Sequence, residues 1–129
     1  MTDAMKKVLI VEDDARQRVA LQASFVQEHY QIITASNGRD GLEILNTTTP
    51  DIILLDLMMP VLDGFAFLDA IKKDDLFKNI PVIILTNLGT QERLTHLINS
   101  SCNYFFTKTN TSLKEIVAKT RETLINPSC

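Results

Sequence analysis

The sequence is poor in cysteine and contains no long hydrophobic run. Of its 129 residues two are cysteines, Cys102 and Cys129. The first lies at the start of the last predicted strand region and the second is the last residue, so they indicate neither a disulfide framework nor a metal site built from closely spaced thiols. Residues 1–7 lack the apolar core of a signal peptide, and no apolar run reaches the roughly 20 residues that span a bilayer. We therefore expect a cytoplasmic protein with no membrane contact.

An excess of positive charge is also missing. The net charge is −3, which gives no electrostatic reason to expect direct binding of nucleic acid. Hydrophobic residues make up 45% and charged residues 22% of the chain, as in ordinary globular domains. We find no internal repeat, low-complexity segment or linker. These features predict a single domain over residues 1–129, of which approximately 6–125 are folded.

Five short apolar runs predict buried strands. Continuous runs of branched residues that end at a polar or turn residue are typical of strands covered on both faces. Segments with helical spacing of apolar residues follow each run, and this alternation predicts a parallel sheet with helices on both faces. We predict a flavodoxin-like (βα)5 doubly wound sheet with strand order 2-1-3-4-5. The predicted strands are Val8–Val11, Ile32–Ala35, Ile52–Leu55, Pro81–Leu85 and Tyr104–Phe106.

The predicted helices have inner faces defined by apolar residues three or four positions apart. Acidic residues before the first helix suit its N-terminus, and we assign Asp14 to this role. Ser36-Asn37-Gly38 is typical of a turn followed by a helix start. The inner-face residues of the five helices are Leu21 and Phe25; Leu42 and Leu45; Phe65, Leu68 and Ile71; Leu94, Leu97 and Ile98; and Leu113, Ile116, Val117, Thr120 and Leu124.

Candidate site residues follow four of the five predicted strands. Glu12 and Asp13 follow the first, Asp56 the third, Thr86 the fourth and Lys108 the fifth. Because the carboxyl ends of parallel strands meet at one edge, we expect three carboxylates to share a pocket with a hydroxyl and an ammonium. Such like charges need compensation, and Mg²⁺ is a suitable cation. The chemistry predicted is attack by Asp56 on phosphorus, which gives an acyl phosphate.

In this order and spacing, the motifs resemble those of the receiver domain of two-component response regulators, of the chemotaxis-regulator type, along essentially the whole chain. The resemblance implies that Asp56 accepts phosphate from a phosphohistidine on a sensor histidine kinase or a histidine phosphotransfer protein. Since the phosphate is transferred onto the protein itself, a signalling phosphoacceptor is implied rather than a turnover enzyme. It would catalyse only its own phosphorylation and slow dephosphorylation. The matching motifs are Val8–Asp14, Asp56–Pro60 with Asp63-Gly64, Pro81–Thr86 and Lys108.

The resemblance also implies roles for the residues around Asp56. Mg²⁺ would be bound by Asp13, Asp56 and the backbone carbonyl of Met58, with Glu12 acting through water. Thr86 and Lys108 would grip the phosphoryl group. Phe105 would move inward when Thr86 does, and the face formed by the fourth helix, fifth strand and fifth helix would signal to a downstream target protein or output domain.

Several residues depart from the family pattern. Thr109 stands where a proline with a cis peptide bond usually follows the lysine, and we expect a trans bond here because a non-proline cis bond costs about 2.5–4 kcal/mol. Asn87 replaces the usual small residue and would narrow the entrance to Asp56. Ser101 replaces the usual glycine before the fifth strand. Phe105 cannot donate the hydrogen bond of a tyrosine, so its switch would be steric.

Two positions that flank the route of the hydrolytic water are apolar. They are Met58 and Leu88, two residues after Asp56 and after Thr86 respectively. Apolar side chains cannot orient a water by hydrogen bonding, so we predict a long-lived phosphorylated form, with Asn87 as a further influence on its lifetime.

Other functions fit the sequence less well but stay open. An aspartate-nucleophile phosphatase would need a second aspartate where this chain has Met58. A nucleotide- or flavin-binding module would need a Gly-rich turn after the first strand, where this chain has residues 12–14 in the order Glu-Asp-Asp. The main alternative is a pseudo-receiver that only mediates contacts. The acids, Thr86 and Lys108 argue against it, and Thr109 and Asn87 leave room for it. The sequence also leaves open whether the chain is a stand-alone regulator or part of a longer protein.

Overall fold

The computed structural model describes residues 5–59, 61–86, 103–108 and 111–126. In these residues strands and helices alternate along the chain. Within them, no helix is long and apolar enough to cross a bilayer. The elements are β1 (Lys6–Val11), α1 (Ala15–Ser24), β2 (Tyr30–Ala35), α2 (Gly38–Leu45), β3 (Ile52–Asp56), α3 (Gly64–Lys72), β4 (Val82–Thr86), β5 (Asn103–Thr107) and α4 (Leu113–Ile125). The last of these is the predicted fifth helix, because the predicted fourth helix lies outside the described residues.

The five strands form one parallel sheet in the order β2-β1-β3-β4-β5. This confirms the predicted doubly wound architecture. The strand order reverses between β1 and β3, where Val11 pairs with Leu55. On the other side of β3, Asp56 pairs with Leu85. The register therefore brings the residues that follow β1 level with the end of β3, at the edge where ligands bind in such sheets.

The core has two halves because successive side chains on a strand point to opposite faces. All four apolar residues of the third run are fully buried, as predicted for a central strand. Ile53 and Leu55 pack on the side of α2 and α3, whereas Ile52 and Leu54 pack on the side of α1 and α4. The sheet is thereby fixed on both faces, and its polar groups are confined to the strand ends.

Short polar side chains start all four described helices. The side chain of Asp14 accepts hydrogen bonds from the backbone N–H groups of Arg16 and Gln17, which confirms its assignment to the N-terminus of α1. Asn37 and Asp63 cap α2 and α3 in the same way. Ser112 and the side chain three residues later form a capping box at the start of α4.

The inner faces of two helices differ from the prediction. In α3, Phe67 is fully buried and Phe65 is only partly buried, so the inner face is rotated toward Phe67. In α4, Leu113 is 41% exposed, whereas Thr123 is buried and donates its hydroxyl hydrogen to the carbonyl of Lys119 at 2.7 Å. Threonine enters the core here because the preceding turn of its own helix satisfies its hydroxyl.

Gly64 brings the start of α3 directly against the end of β3. Its N–H donates to the carbonyl of Leu57 at 2.9 Å. A Cβ at this position would lie 2.4 Å from both the carbonyl oxygen of Asp56 and the Cα of Leu57. These are backbone atoms of a buried segment, so they cannot move aside as a flexible side chain can.

We therefore expect Gly64→Ala to destabilise the protein by about 1–3 kcal/mol in urea denaturation, as overpacking does. Gly41→Ala is the matched control, because a Cβ there would meet side-chain atoms, 2.9 Å from Phe67 Cε2 and 3.3 Å from Val11 Cγ2. The helical preference for alanine, worth up to about 1 kcal/mol, offsets this contact. Equal losses for the two variants would contradict the proposed close approach.

Candidate functional site

Three carboxylates meet at the carboxyl-terminal edge of the sheet. Glu12, Asp13 and Asp56 each place one oxygen so that all three oxygens lie within 4.8 Å of one another. Glu12 and Asp56 are 1% and 6% exposed, whereas Asp13 is exposed. The predicted acidic group is therefore assembled, with two members at the border of the core and one open to solvent.

Backbone hydrogen bonds hold the two buried acids in place. The N–H of Glu12 donates to the carbonyl of Ala35 at 3.0 Å, which extends the contact between β1 and β2. Its Oε2 accepts from the N–H of Asp14 at 3.2 Å. Asp56 Oδ1 accepts from the N–H of Met58 at 3.1 Å. One oxygen of each carboxylate is thus bound by the backbone, and the other is available to a cation.

Lys108 supplies a positive charge to both buried acids. Its Nζ lies 2.6 Å from Glu12 Oε1 and 3.2 Å from Asp56 Oδ2. The third contact of the ammonium is with Gln17 Oε1, at 2.5 Å. The lysine side chain is 18% exposed, so this is a mostly desolvated group in which removal of one partner leaves an uncompensated charge.

The pKa values of the group follow from this crowding. Burial raises the pKa of Glu12, and so do the hydrogen bond and the repulsion from Asp56, whereas Lys108 acts in the opposite direction. Partial burial and the neighbouring Glu12 carboxylate raise the pKa of Asp13. Burial lowers the pKa of Lys108, but its contacts with Glu12 and Asp56 outweigh burial and raise it above the ordinary value. The Lys108 side chain is therefore protonated, and both Glu12 and Asp56 contact its ammonium.

The other predicted site residues lie around this group or outside the described residues. Thr86 is fully buried at the end of β4 and pairs in register with Thr107. Phe105 is partly buried and packs on the core half that contains α2 and α3. The side chain of Met58 is on the surface, 59% exposed. The structure does not describe Asn87, Leu88, Ser101 or Thr109, so the predictions for them stay predictions.

A scan against protein-family models matches residues 8–121 to the response regulator receiver domain. The chain belongs to this family. The match covers both predicted acidic motifs and Lys108, and it confirms the family that the sequence motifs indicated.

Individual relatives agree with the family match. The chain is 36% identical over 123 residues to the probable transcriptional regulator ycf27 of Guillardia theta, covering 95% of this chain and 46% of that protein. It is 37% identical over 103 residues to the response regulator PleD of Caulobacter vibrioides, covering 79% of this chain and 22% of that protein. The chain thus spans half or less of the length of these curated relatives.

Solved receiver structures have the same fold. The receiver domain of the Francisella response regulator 1452 superposes with a TM-score of 0.83 at 29% identity, covering 93% of this chain and 97% of the other. The phosphorylated cyanobacterial phytochrome response regulator RcpA gives a TM-score of 0.81 at 28% identity, with 98% of both chains covered.

The donor set of this receiver domain fits a hard divalent cation. Glu12, Asp13 and Asp56 offer only oxygen, at mutual separations that permit one ion to reach all three, and Mg²⁺ prefers oxygen ligands. Three carboxylates and one ammonium leave an excess of negative charge that a divalent ion would neutralise. The exposed side of Asp13 gives an ion access from solvent.

Two residues of the site, Gln17 and Arg18, are absent from the sequence-based prediction. The structure shows that the Arg18 guanidinium donates to the carbonyls of Glu12 and Asp13, at 2.8 and 3.3 Å. Both residues lie on the first turns of the helix that follows the acidic motif. That position is the only signal in the sequence, since contact with Lys108 depends on the fold.

Loss of the ammonium should destabilise the Mg²⁺-free protein. We expect Lys108→Met to cost about 1–3 kcal/mol in urea denaturation with a chelator present, because Glu12 and Asp56 lose their shared cation. Added Mg²⁺ should restore much of this loss by neutralising the same acids.

Lys73→Met is the control, since it removes the same charge from an exposed pair with Asp69. We expect it to leave the urea midpoint nearly unchanged and to be indifferent to Mg²⁺. Equal Mg²⁺-free stability of the wild type and Lys108→Met would contradict the assigned counterion role.

Proposed function

We propose that this receiver domain is a phosphoacceptor switch of a two-component or phosphorelay system. Asp56 takes a phosphoryl group from a phosphohistidine on a sensor histidine kinase or a histidine phosphotransfer protein, in a Mg²⁺-dependent reaction. The observation that carries the proposal is the buried Asp56 carboxylate, with Lys108 Nζ at 3.2 Å and two further carboxylates within 4.8 Å. A relative of the same fold, RcpA, is known in a phosphorylated form.

The chemistry is a transfer between two covalent bonds. A carboxylate oxygen of Asp56 attacks phosphorus, the P–O bond of the acyl phosphate forms, and the P–N bond to the donor imidazole breaks. The imidazole leaves with the bonding electron pair and takes a proton from solvent. The Asp56 Oδ1 contact with the Met58 N–H fixes the carboxylate plane, and the ammonium of Lys108 stands where charge develops on the phosphoryl oxygens.

Metal binding belongs to the same proposal. Asp13, Asp56 and the carbonyl of Met58 would hold Mg²⁺, with Glu12 acting through a water. When bound, the ion supplies charge neutralisation and orients a phosphoryl oxygen. Like charges on acids and phosphate would otherwise oppose the approach of the donor.

The phosphoryl group would be read out through Thr86 and Phe105. We infer that Thr86 grips a phosphoryl oxygen and that Phe105 moves inward with it, by steric means alone. The output side would be the face of the predicted fourth helix, β5 and α4, which meets a downstream target protein or an output domain. The domain would occupy residues 1–129, with about 6–125 folded, act in the cytoplasm, and make no direct contact with nucleic acid or membrane.

The reaction is tested with a small phosphodonor. Incubation with Mg²⁺ and acetyl phosphate should add one phosphoryl group to the wild type by mass spectrometry, and Asp56→Asn should abolish labelling because the amide is not nucleophilic. Asp63→Asn is the matched control, since asparagine also caps α3, and it should label as the wild type does. Equal labelling of Asp56→Asn and the wild type would remove Asp56 from this role.

A pseudo-receiver is the alternative function, and the same experiment separates it. A protein that only mediates contacts would stay unlabelled and indifferent to BeF3⁻ in NMR spectra. The assembled acids and Lys108 favour the phosphoacceptor, because a purely structural surface gains nothing from buried like charges.

The apolar side chains of Met58 and Leu88 should give the phosphorylated form a long lifetime. Met58→Asn combined with Leu88→Glu should speed phosphate loss roughly tenfold, since one hydrogen bond that orients the attacking water contributes about 1.4 kcal/mol. Met58→Leu keeps the side chain apolar and should leave the lifetime unchanged. An unaltered decay in the double variant would count against this role.

A further inference from the structure

The ammonium of Lys108 makes two hydrogen bonds and one ion pair. It donates to Glu12 Oε1 at 2.6 Å and to Gln17 Oε1 at 2.5 Å, and it forms an ion pair with Asp56 Oδ2 at 3.2 Å. When an oxygen of Asp56 is bonded to phosphorus, the carboxylate loses the charge of this ion pair, and the ammonium has to turn toward a phosphoryl oxygen. The two hydrogen bonds restrain this turn, and the easier of them to release decides how much it costs.

The two hydrogen-bonded partners differ in that cost. Glu12 is charged and buried, so loss of the ammonium would leave an uncompensated charge in a desolvated place. Gln17 is neutral and exposed, so water can replace the ammonium at its amide oxygen at little cost. The hydrogen bond to the Gln17 amide is therefore the cheaper of the two to break.

The backbone of Gln17 is fixed at the start of α1. Its N–H donates to Asp14 Oδ1 at 3.2 Å, and the guanidinium of the next residue, Arg18, donates to the carbonyl of Glu12 at 2.8 Å. The first turn of α1 is thereby tied to the acidic loop. Lys108 directly follows β5, an edge strand paired with β4 alone, so Gln17 of α1 gives its side chain a contact from outside the sheet.

We propose that Gln17 is a positioning residue that holds Lys108 in a resting orientation and is exchanged for a phosphoryl oxygen when Asp56 is modified. The inference rests on the proposed function. It predicts that Gln17 opposes the modified state by the strength of one hydrogen bond, and that the effect is transmitted through Lys108.

The test uses BeF3⁻ with Mg²⁺ as a probe of the modified state, with affinity measured by NMR titration. Gln17→Met keeps the side-chain length but removes the acceptor, so we expect BeF3⁻ to bind about three- to tenfold more tightly. Gln17→Glu strengthens the hold on Lys108 and should weaken binding by a similar factor. Opposite shifts from two substitutions of one exposed residue are not expected of a merely structural role.

Gln22 provides the matched controls. It is exposed on α1, five residues or ~7.5 Å further along the helix. Gln22→Glu makes the same charge change as Gln17→Glu, and Gln22→Met the same apolar change as Gln17→Met. We expect both control variants to bind BeF3⁻ as the wild type does.

A double-mutant cycle separates action through Lys108 from other effects. In the Lys108→Met background, Gln17→Met should no longer change BeF3⁻ affinity. In Mg²⁺-free buffer without BeF3⁻, Gln17→Met should lower the urea midpoint when Lys108 is present. The same substitution should leave the midpoint unchanged in the Lys108→Met background. This second measurement needs no bound ligand.

The outcomes are distinct. Equal affinities of the wild type and Gln17→Met, or an equal shift in the Lys108→Met background, would overturn the positioning role alone. A wild-type protein that neither binds BeF3⁻ nor is labelled by acetyl phosphate would overturn the proposed function, and this inference with it.

Discussion

Three carboxylates at one edge of a sheet repel one another, and the ammonium of Lys108 is what makes their meeting tolerable in the described structure. Lys108 follows Glu12 by 96 positions in the chain, yet their polar atoms lie 2.6 Å apart. The two residues meet because the crossovers place β1 beside β3, β3 beside β4 and β4 beside β5. The fold and the charge balance of the site are therefore one constraint, because burial of Glu12 and Asp56 requires a cation delivered by β5.

The sheet could be predicted because the sequence pattern of its strands is unambiguous. A central parallel strand is covered on both faces, so Ile52–Leu55 must be apolar at every position, and no helix-period pattern competes with it. Amphipathic helices are less certain, because the spacing allows a neighbouring residue to take the inner face. Thus Phe67 rather than Phe65 is the fully buried aromatic side chain of α3. In α4, Leu113 at the first turn is exposed and Thr123 near the end is buried.

The acids and Lys108 could be predicted for a similar reason, since residues that follow parallel strands lie together at the carboxyl-terminal edge of the sheet. Gln17 and Arg18 could not. They lie within a helix, where exposed polar residues usually face solvent, and their contacts depend on how α1 packs beside the acidic loop and Lys108. The Arg18 bond to the carbonyl of Glu12 and the Gln17 bond to Lys108 arise from this packing. The spacing of residues along the chain does not indicate this packing.

The more exposed a residue of the site is, the more easily its contacts can be exchanged for water or an incoming anion. Glu12 and Asp56 are buried, Lys108 is intermediate, and Asp13 and Gln17 are exposed. Exchange with water or an incoming anion is costly for the first pair, because a desolvated charge would lose its partner, and cheap for the last pair. A site with all its groups buried would resist modification, and one with all its groups exposed would bind its cation weakly. The boundary between core and solvent lets a fixed pair of acids coexist with contacts that can be released.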